Sequence, residues 1–243
     1  MTGGALTERQ ARGLFIFGAL LGLGFLMIIA WVNFEARMFY PADLFTPGRK
    51  RIRLRSLRCP LVVARDETAK VQFTVTNPLN RPIRRIVRFS VAHRHVLLVD
   101  QERIILDLGP RETRRVVRDI APDKGVYGGW MLLVSVYVAR TPPLDPALND
   151  CGTLVMPVRG IPGWVLVALW NGLAIGLMAV GWWKAGPQDR GFRTAVALQY
   201  SAGLLALLLF HGWVVAAIVS GLALFGLLLQ GLQRLEGTST TAI

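Results

Sequence analysis

Cysteine, histidine and acidic residues are all scarce in this chain of 243 residues. There are two cysteines, Cys59 and Cys151, three histidines, and 15 Asp and Glu against 28 Lys and Arg. With no CxxC, no CxxCH and no Cys/His zinc spacing, a zinc module, a redox dithiol and a covalently attached haem are excluded. The acids are scattered along the chain, and no Ser/His/Asp, Cys/His or paired-carboxylate set can be nominated. No glycine-rich phosphate loop follows a strand pattern, since Gly22-Leu23-Gly24 lies inside an apolar run. These absences lead us to expect a protein that is not an enzyme and carries no cofactor.

Long uncharged runs, by contrast, are plentiful. The apolar content is 53% and the mean hydropathy +0.44, an excess concentrated in two blocks. Residues 13–33 are free of charge, and 21 residues at 1.5 Å each cross a hydrocarbon layer of about 30 Å. The run exceeds a signal-peptide core and no A-x-A site follows it, which favours an uncleaved anchor. Residues 163–183 form a second span. Residues 194–232 are about twice too long for one crossing, so His211-Gly212 is expected to break them into spans 194–210 and 213–232. The expected class is a membrane protein of about four transmembrane helices with an all-β sandwich between the first two. The remaining segments are an N-terminal tail (1–12), a linker (34–47), the β-domain (48–160) and a C-terminal tail (233–243).

The middle of the chain has a period of two. Segments 49–57, 71–76, 83–91, 103–108, 114–120, 126–138 and 152–158 alternate or are β-rich. Turn signals such as Asn77-Pro78, Leu108-Gly109-Pro110 and Ala121-Pro122-Asp123 separate them. Seven short strands with no helical period between them predict an antiparallel sandwich. Cys59 and Cys151 sit near its two ends, where first and last strands lie side by side. A disulfide is open to them if the domain is exported, and two unrelated buried thiols are the other reading.

Three stretches also carry a resemblance: VQFTVTNPLNRPI, LDLGPRETRRV and IAPDKGVYGGWMLLVSVYV. They resemble the bacterial immunoglobulin-like domains of the alpha-galactosidase-associated and CARDB types. The matching features are a V-x-F-T-V-x-N strand (Val71 to Asn77), a turn from Leu108 to Thr113, and a strand approach from Pro122 to Tyr127. The resemblance covers about 90 residues, and its motifs mark turns and core positions. It implies a spacer or protein-contact module outside the cytoplasm.

Residues 48–160 carry 21 Lys and Arg against 10 Asp and Glu. Arg51, Arg53, Arg55, Arg84, Arg88 and Arg114 are candidates for a basic partner-binding face, suited to an acidic protein surface or anionic lipid. Nucleic acid is disfavoured because no binding motif accompanies the bases. His93 and His95 share a strand face and are weak metal candidates that lack a third ligand. Small residues recur at helix-packing spacing: Gly18 and Gly22, then Ala168, Gly172 and Gly176, then Ala217 and Gly221. Asn171, Gln199 and Gln230 are amides of the kind that bond across helix interfaces.

Arg9, Arg12, Lys184, Arg190, Arg193 and Arg234 place the termini and the 184–193 link in the cytoplasm, and the β-domain outside. Arg49 to Arg58 pull the other way, but long domains translocate largely regardless of charge. The expectation is an integral protein of a prokaryotic plasma membrane with an extracytoplasmic β-domain. It would act as an accessory subunit contacting other membrane subunits and the bilayer. The alternatives are a metal-handling or redox-complex maturation factor, and an envelope protein that holds anionic lipid or polymer.

Overall fold

The computed structural model describes residues 7–40, 52–54, 56–92, 99–122, 126–185, 190–210 and 212–239, with side chains of the last helix described to residue 230. Helix α1 (Glu8–Phe39) is followed by strands β1 (Ile52–Arg53), β2 (Val62–Ala64), β3 (Ala69–Thr76), β4 (Ile83–Ala92), β5 (Val99–Leu108), β6 (Thr113–Ile120), β7 (Met131–Val138) and β8 (Ala147–Met156). Helices α2 (Gly163–Lys184), α3 (Arg190–Phe210) and α4 (Trp213–Ser239) complete the chain. Among the described residues, all four helices are long and apolar enough to cross a membrane. Contacts divide the chain into two compact units. One comprises Met1–Ala30 with Ala168–Ile243, the other Trp31–Val167.

In the helical unit, glycine determines how near the backbones come. A Cβ at Gly18 would lie 2.8 Å from the Ala174 carbonyl oxygen of α2, and one at Gly22 would lie 2.6 Å from the Tyr200 ring of α3. Gly181 sits against Ala11 and Phe15 in the same way. Above Gly22, the Tyr200 hydroxyl donates to Asn171 Oδ1 (2.5 Å), so the buried amide of α2 does bond across an interface. Trp170 Nε1 donates to the Leu21 carbonyl (3.0 Å). Helix α3 ends at Phe210 and α4 starts at Trp213, and the Gly212 amide donates to the Ala206 carbonyl.

Two of the expected ridges do not pack inside this chain's own bundle. Ala168, Gly172 and Gly176 are exposed, and neither glycine has a neighbour within 4 Å of its missing Cβ. On α4 the packed face is Ala216, Ser220 and Ala223, whereas Gly221 again faces open space and Ala217 is only half-buried. Small residues recur so often in these helices that spacing alone could not distinguish the inward row from its neighbour.

The second unit is a two-layer β-sandwich. One sheet has the order β1-β8-β7-β4-β5 with β2 also on β8, and the other pairs β3 with β6. Alternate residues from both layers meet in one apolar core: Val71, Phe73 and Val75 of β3, Val87 and Phe89 of β4, Val116 and Ile120 of β6, and Leu132, Val134, Val136 and Val138 of β7. The Phe73 and Phe89 rings stack across it at 6.4 Å. The expected antiparallel sandwich is corrected to a mixed one, because β1 and β2 both run parallel to β8. Parallel pairing needs a long crossover, and here most of the domain lies between the partners. Cys59 and Cys151, Cα atoms 6.4 Å apart, are joined as a disulfide that closes nearly the whole domain, at a sequence separation of 92. Asn77 is fully buried, and its amide donates to the Arg81 and Gly109 carbonyls (2.8 and 2.7 Å), which ties the turn after β3 to the turn after β5.

The end of α1 belongs to this unit. Its 32 residues span about 48 Å, well beyond one hydrocarbon layer, and residues 34–39, expected as linker, are helical. Val32, Ala36 and Tyr40 are buried. The Gly152 amide donates to Asn33 Oδ1 (3.3 Å). A side chain at Gly152 would collide with the Val32 backbone, so only glycine lets helix and strand approach this closely. At the other junction, Glu67 Oε2 accepts the amides of Ala64 (3.0 Å) and Gly163 (2.6 Å), capping the start of α2 from the turn after β2.

Candidate interaction site

Strand β4 alternates between two environments. Arg85, Val87 and Phe89 face inward, while Arg84 and Arg88 stand exposed on the outer face of the large sheet. The inward Arg85 is buried and reaches the Asp145 carbonyl (3.5 Å), and desolvation pushes its pKa below the ordinary arginine value. The outward Arg84 pairs with Asp107 of β5 at 2.7 Å.

Beside Arg88 the outer face is hollowed into a groove of about 500 Å³. Its floor is Arg88 and Ser90 of β4, Ser135 and Tyr137 of β7, and Gln101 of β5; Phe39 and Tyr40 form one wall. Register explains the grouping: Ser90 is opposite both Ser135 and Gln101, and Arg88 is opposite Tyr137. Tyr40 donates its hydroxyl to the Leu133 carbonyl (3.3 Å), and burial raises its pKa far above the ordinary phenol value, so it stays a neutral donor. Nearby, Phe39 packs edge-on to Tyr127 with centroids 5.2 Å apart. The Tyr127 hydroxyl donates to Glu35 (3.4 Å), and its pKa is raised by desolvation and then by that carboxylate. The groove therefore offers one cation, several neutral hydroxyl and amide groups, and aromatic walls. Such a lining suits an anionic group carried on a partly apolar body.

The expected basic face is not one surface. Arg84 and Arg88 share a sheet face, but Arg114 lies on β6 in the other sheet and is paired with Glu112 at 2.6 Å. Sequence alternation does not show which layer, or which face, carries each arginine. Arg51 and Arg55 lie outside the described residues, and Arg53 is described only as β1 backbone. His93, His95 and His211 also lie outside the described residues. Among the described residues, no group of three or more His, Cys, Asp or Glu could hold a metal ion.

Ser90, Ser135, Tyr137 and the Phe39-Tyr40 wall were not anticipated. The signal for them was present in β7, whose sequence MLLVSVYV is apolar at nearly every position. A strand covered on both faces reads this way. One face of β7 joins the core, and on the other Leu133 is fully buried under the end of α1.

No family model and no curated protein matches the chain. Among solved structures, it is similar to the CARDB domain of a Pyrococcus furiosus protein in complex with di-metal ions. That match has a TM-score of 0.31 at 17% identity and covers 41% of this chain and 89% of that one. A β-glucosidase from Listeria innocua in complex with glucose matches with a TM-score of 0.30 at 12% identity, over 40% of this chain and 15% of the glucosidase. Likenesses this distant carry no argument about activity.

Proposed function

We propose that this protein is a non-catalytic accessory subunit of a larger membrane complex. Its immunoglobulin-like domain stands outside the cytoplasm and docks an acidic partner at the Arg88 groove, and α2 packs against another membrane subunit. The observation that carries this reading is the division of labour among the small residues. Gly18, Gly22 and Gly181 are used up inside the bundle, while Ala168, Gly172 and Gly176 line the outer side of α2. An exposed ridge of this kind lets a second helix approach closely. The disulfide supports the outside location, since such bonds persist in oxidising compartments.

The test is purification from native membranes in mild detergent, with Gly172→Leu/Gly176→Leu as the comparison. Other membrane proteins should accompany the unsubstituted chain in fixed ratio and be lost from the variant, with the fold of the β-domain unchanged. Recovery of nothing but copies of this chain from native membranes would overturn the proposal.

A further inference from the structure

Strand β5 closes one side of the large sheet, and among the described residues no strand pairs with its outer edge. In an antiparallel ladder, the main-chain groups of successive residues point to opposite sides. The Ala139 amide donates to the Ile86 carbonyl, so Ile86 faces β7 and Val87 faces β5. Val87 is opposite Ile104. It follows that Ile104 and Leu106 are engaged by β4, whereas Arg103, Ile105 and Asp107 direct their N–H and C=O groups to the open edge. An unpaired edge of ten residues is a ready template for another strand.

The side chains select one register. Ile105 is 53% exposed on the outer face, flanked by Arg103 and Asp107. Pairing the edge with itself about Arg103 would set arginine against arginine, and shifts that place Ile105 opposite Asp107 or Arg103 bury an aliphatic side chain against a charge. Centring on Ile105 sets isoleucine against isoleucine and Arg103 against Asp107 twice. Arg103 has a reason to accept this arrangement: it lies directly opposite Arg88 within its own sheet, and no ion pair is formed by it among the described residues. Like charges directly opposite destabilise a sheet, and opposite charges support it. Asp107 already meets Arg84, so the new pairs would extend that contact into an Arg84–Asp107–Arg103 ladder across the dyad.

We propose that two copies of this chain join edge to edge through β5, with Ile105 on the two-fold axis and Arg103 of each copy paired with Asp107 of the other. Three facing pairs supply about six main-chain hydrogen bonds. Both copies are held in one bilayer, which raises their effective concentration. The inference does not depend on the accessory-subunit reading, because it concerns the purified chain alone.

The experiment measures dimer dissociation of the full chain in detergent, by light scattering over a dilution series. Arg103→Asp should raise the dissociation constant about tenfold or more, and Arg103→Asp/Asp107→Arg should restore it to within about threefold by reversing the pair. The Arg84–Asp107 contact is exposed on both sides, so its loss in the double variant leaves the fold intact. Ile105→Cys should cross-link into a covalent dimer under mild oxidation. A chain that is monomeric at every concentration would overturn the proposal. So would a dimer that is indifferent to Arg103→Asp and uncross-linked at position 105.

Discussion

Opening the Cys59–Cys151 bond is the most informative perturbation of the β-domain. The bond closes a loop of 92 positions, and the chain-entropy relation for a loop of that length gives about 4.6 kcal/mol at 25 °C. The flanking apolar helices restrain both ends of the domain even when it is unfolded, so part of that entropy is already lost. We therefore expect about 3 kcal/mol, within the range that removing a native bond commonly costs. For a domain of this size, about 4 °C of midpoint accompanies each kcal/mol, so the transition should fall by about 12 °C. The assay is near-ultraviolet circular dichroism of the detergent-purified chain during heating, with and without reductant, and of Cys59→Ala/Cys151→Ala. Thiol labelling of intact cells should find both positions blocked until reduction. Free thiols in the untreated protein, or a midpoint unmoved by reduction, would refute both the loop argument and the outside location.

Further outcomes follow from other contacts. Gly152→Val should force α1 away from β8 and cost about 1–3 kcal/mol by overpacking, read in the same melting assay. Leu133→Ala should cost about 2–5 kcal/mol because the site is fully buried on the face that α1 covers. Arg88→Glu should weaken capture of an acidic partner by about tenfold or more, and raising the salt should weaken the unsubstituted complex in the same direction. Glu112 has a carboxyl held below the ordinary value of 4.5, first by the Gly109 amide and then by Arg114. A group with a lowered folded pKa stabilises above its unfolded value and loses that contribution as the pH falls through the folded value. Glu112→Gln should therefore lower stability slightly at neutral pH and flatten the acid limb of the profile, the two proteins converging below about pH 4.5 where the carboxyl is protonated.

How much of this was legible beforehand depended on which physical rule governed each segment. Uncharged runs of about 20 residues located the four helices, because hydrocarbon tolerates little else, and the need to break residues 194–232 followed from length alone. Period-two alternation gave most of the strands. It could not give their partners, so the parallel seating of β1 and β2 on β8 and the separation of Arg114 from Arg84 and Arg88 were hidden. Both depend on contacts between residues far apart in the chain. The end of α1 was misjudged for a different reason. Asn33, Glu35 and Arg37 look like the polar exit from a membrane, but the helix continues and spends Asn33 and Glu35 on Gly152 and Tyr127.

The seating of residues 31–40 on β7 and β8 decides how the domain can be handled in isolation. A fragment cut at residue 48, where alternation begins, would leave Leu133 without its cover, and the Leu133 carbonyl and Gly152 amide without their partners Tyr40 and Asn33. Aggregation of such a fragment would therefore say little about the native protein. A cut just before Trp31, ending after Val167, keeps the cover in place and exchanges one bare sheet face for a short amphipathic segment that water can accommodate.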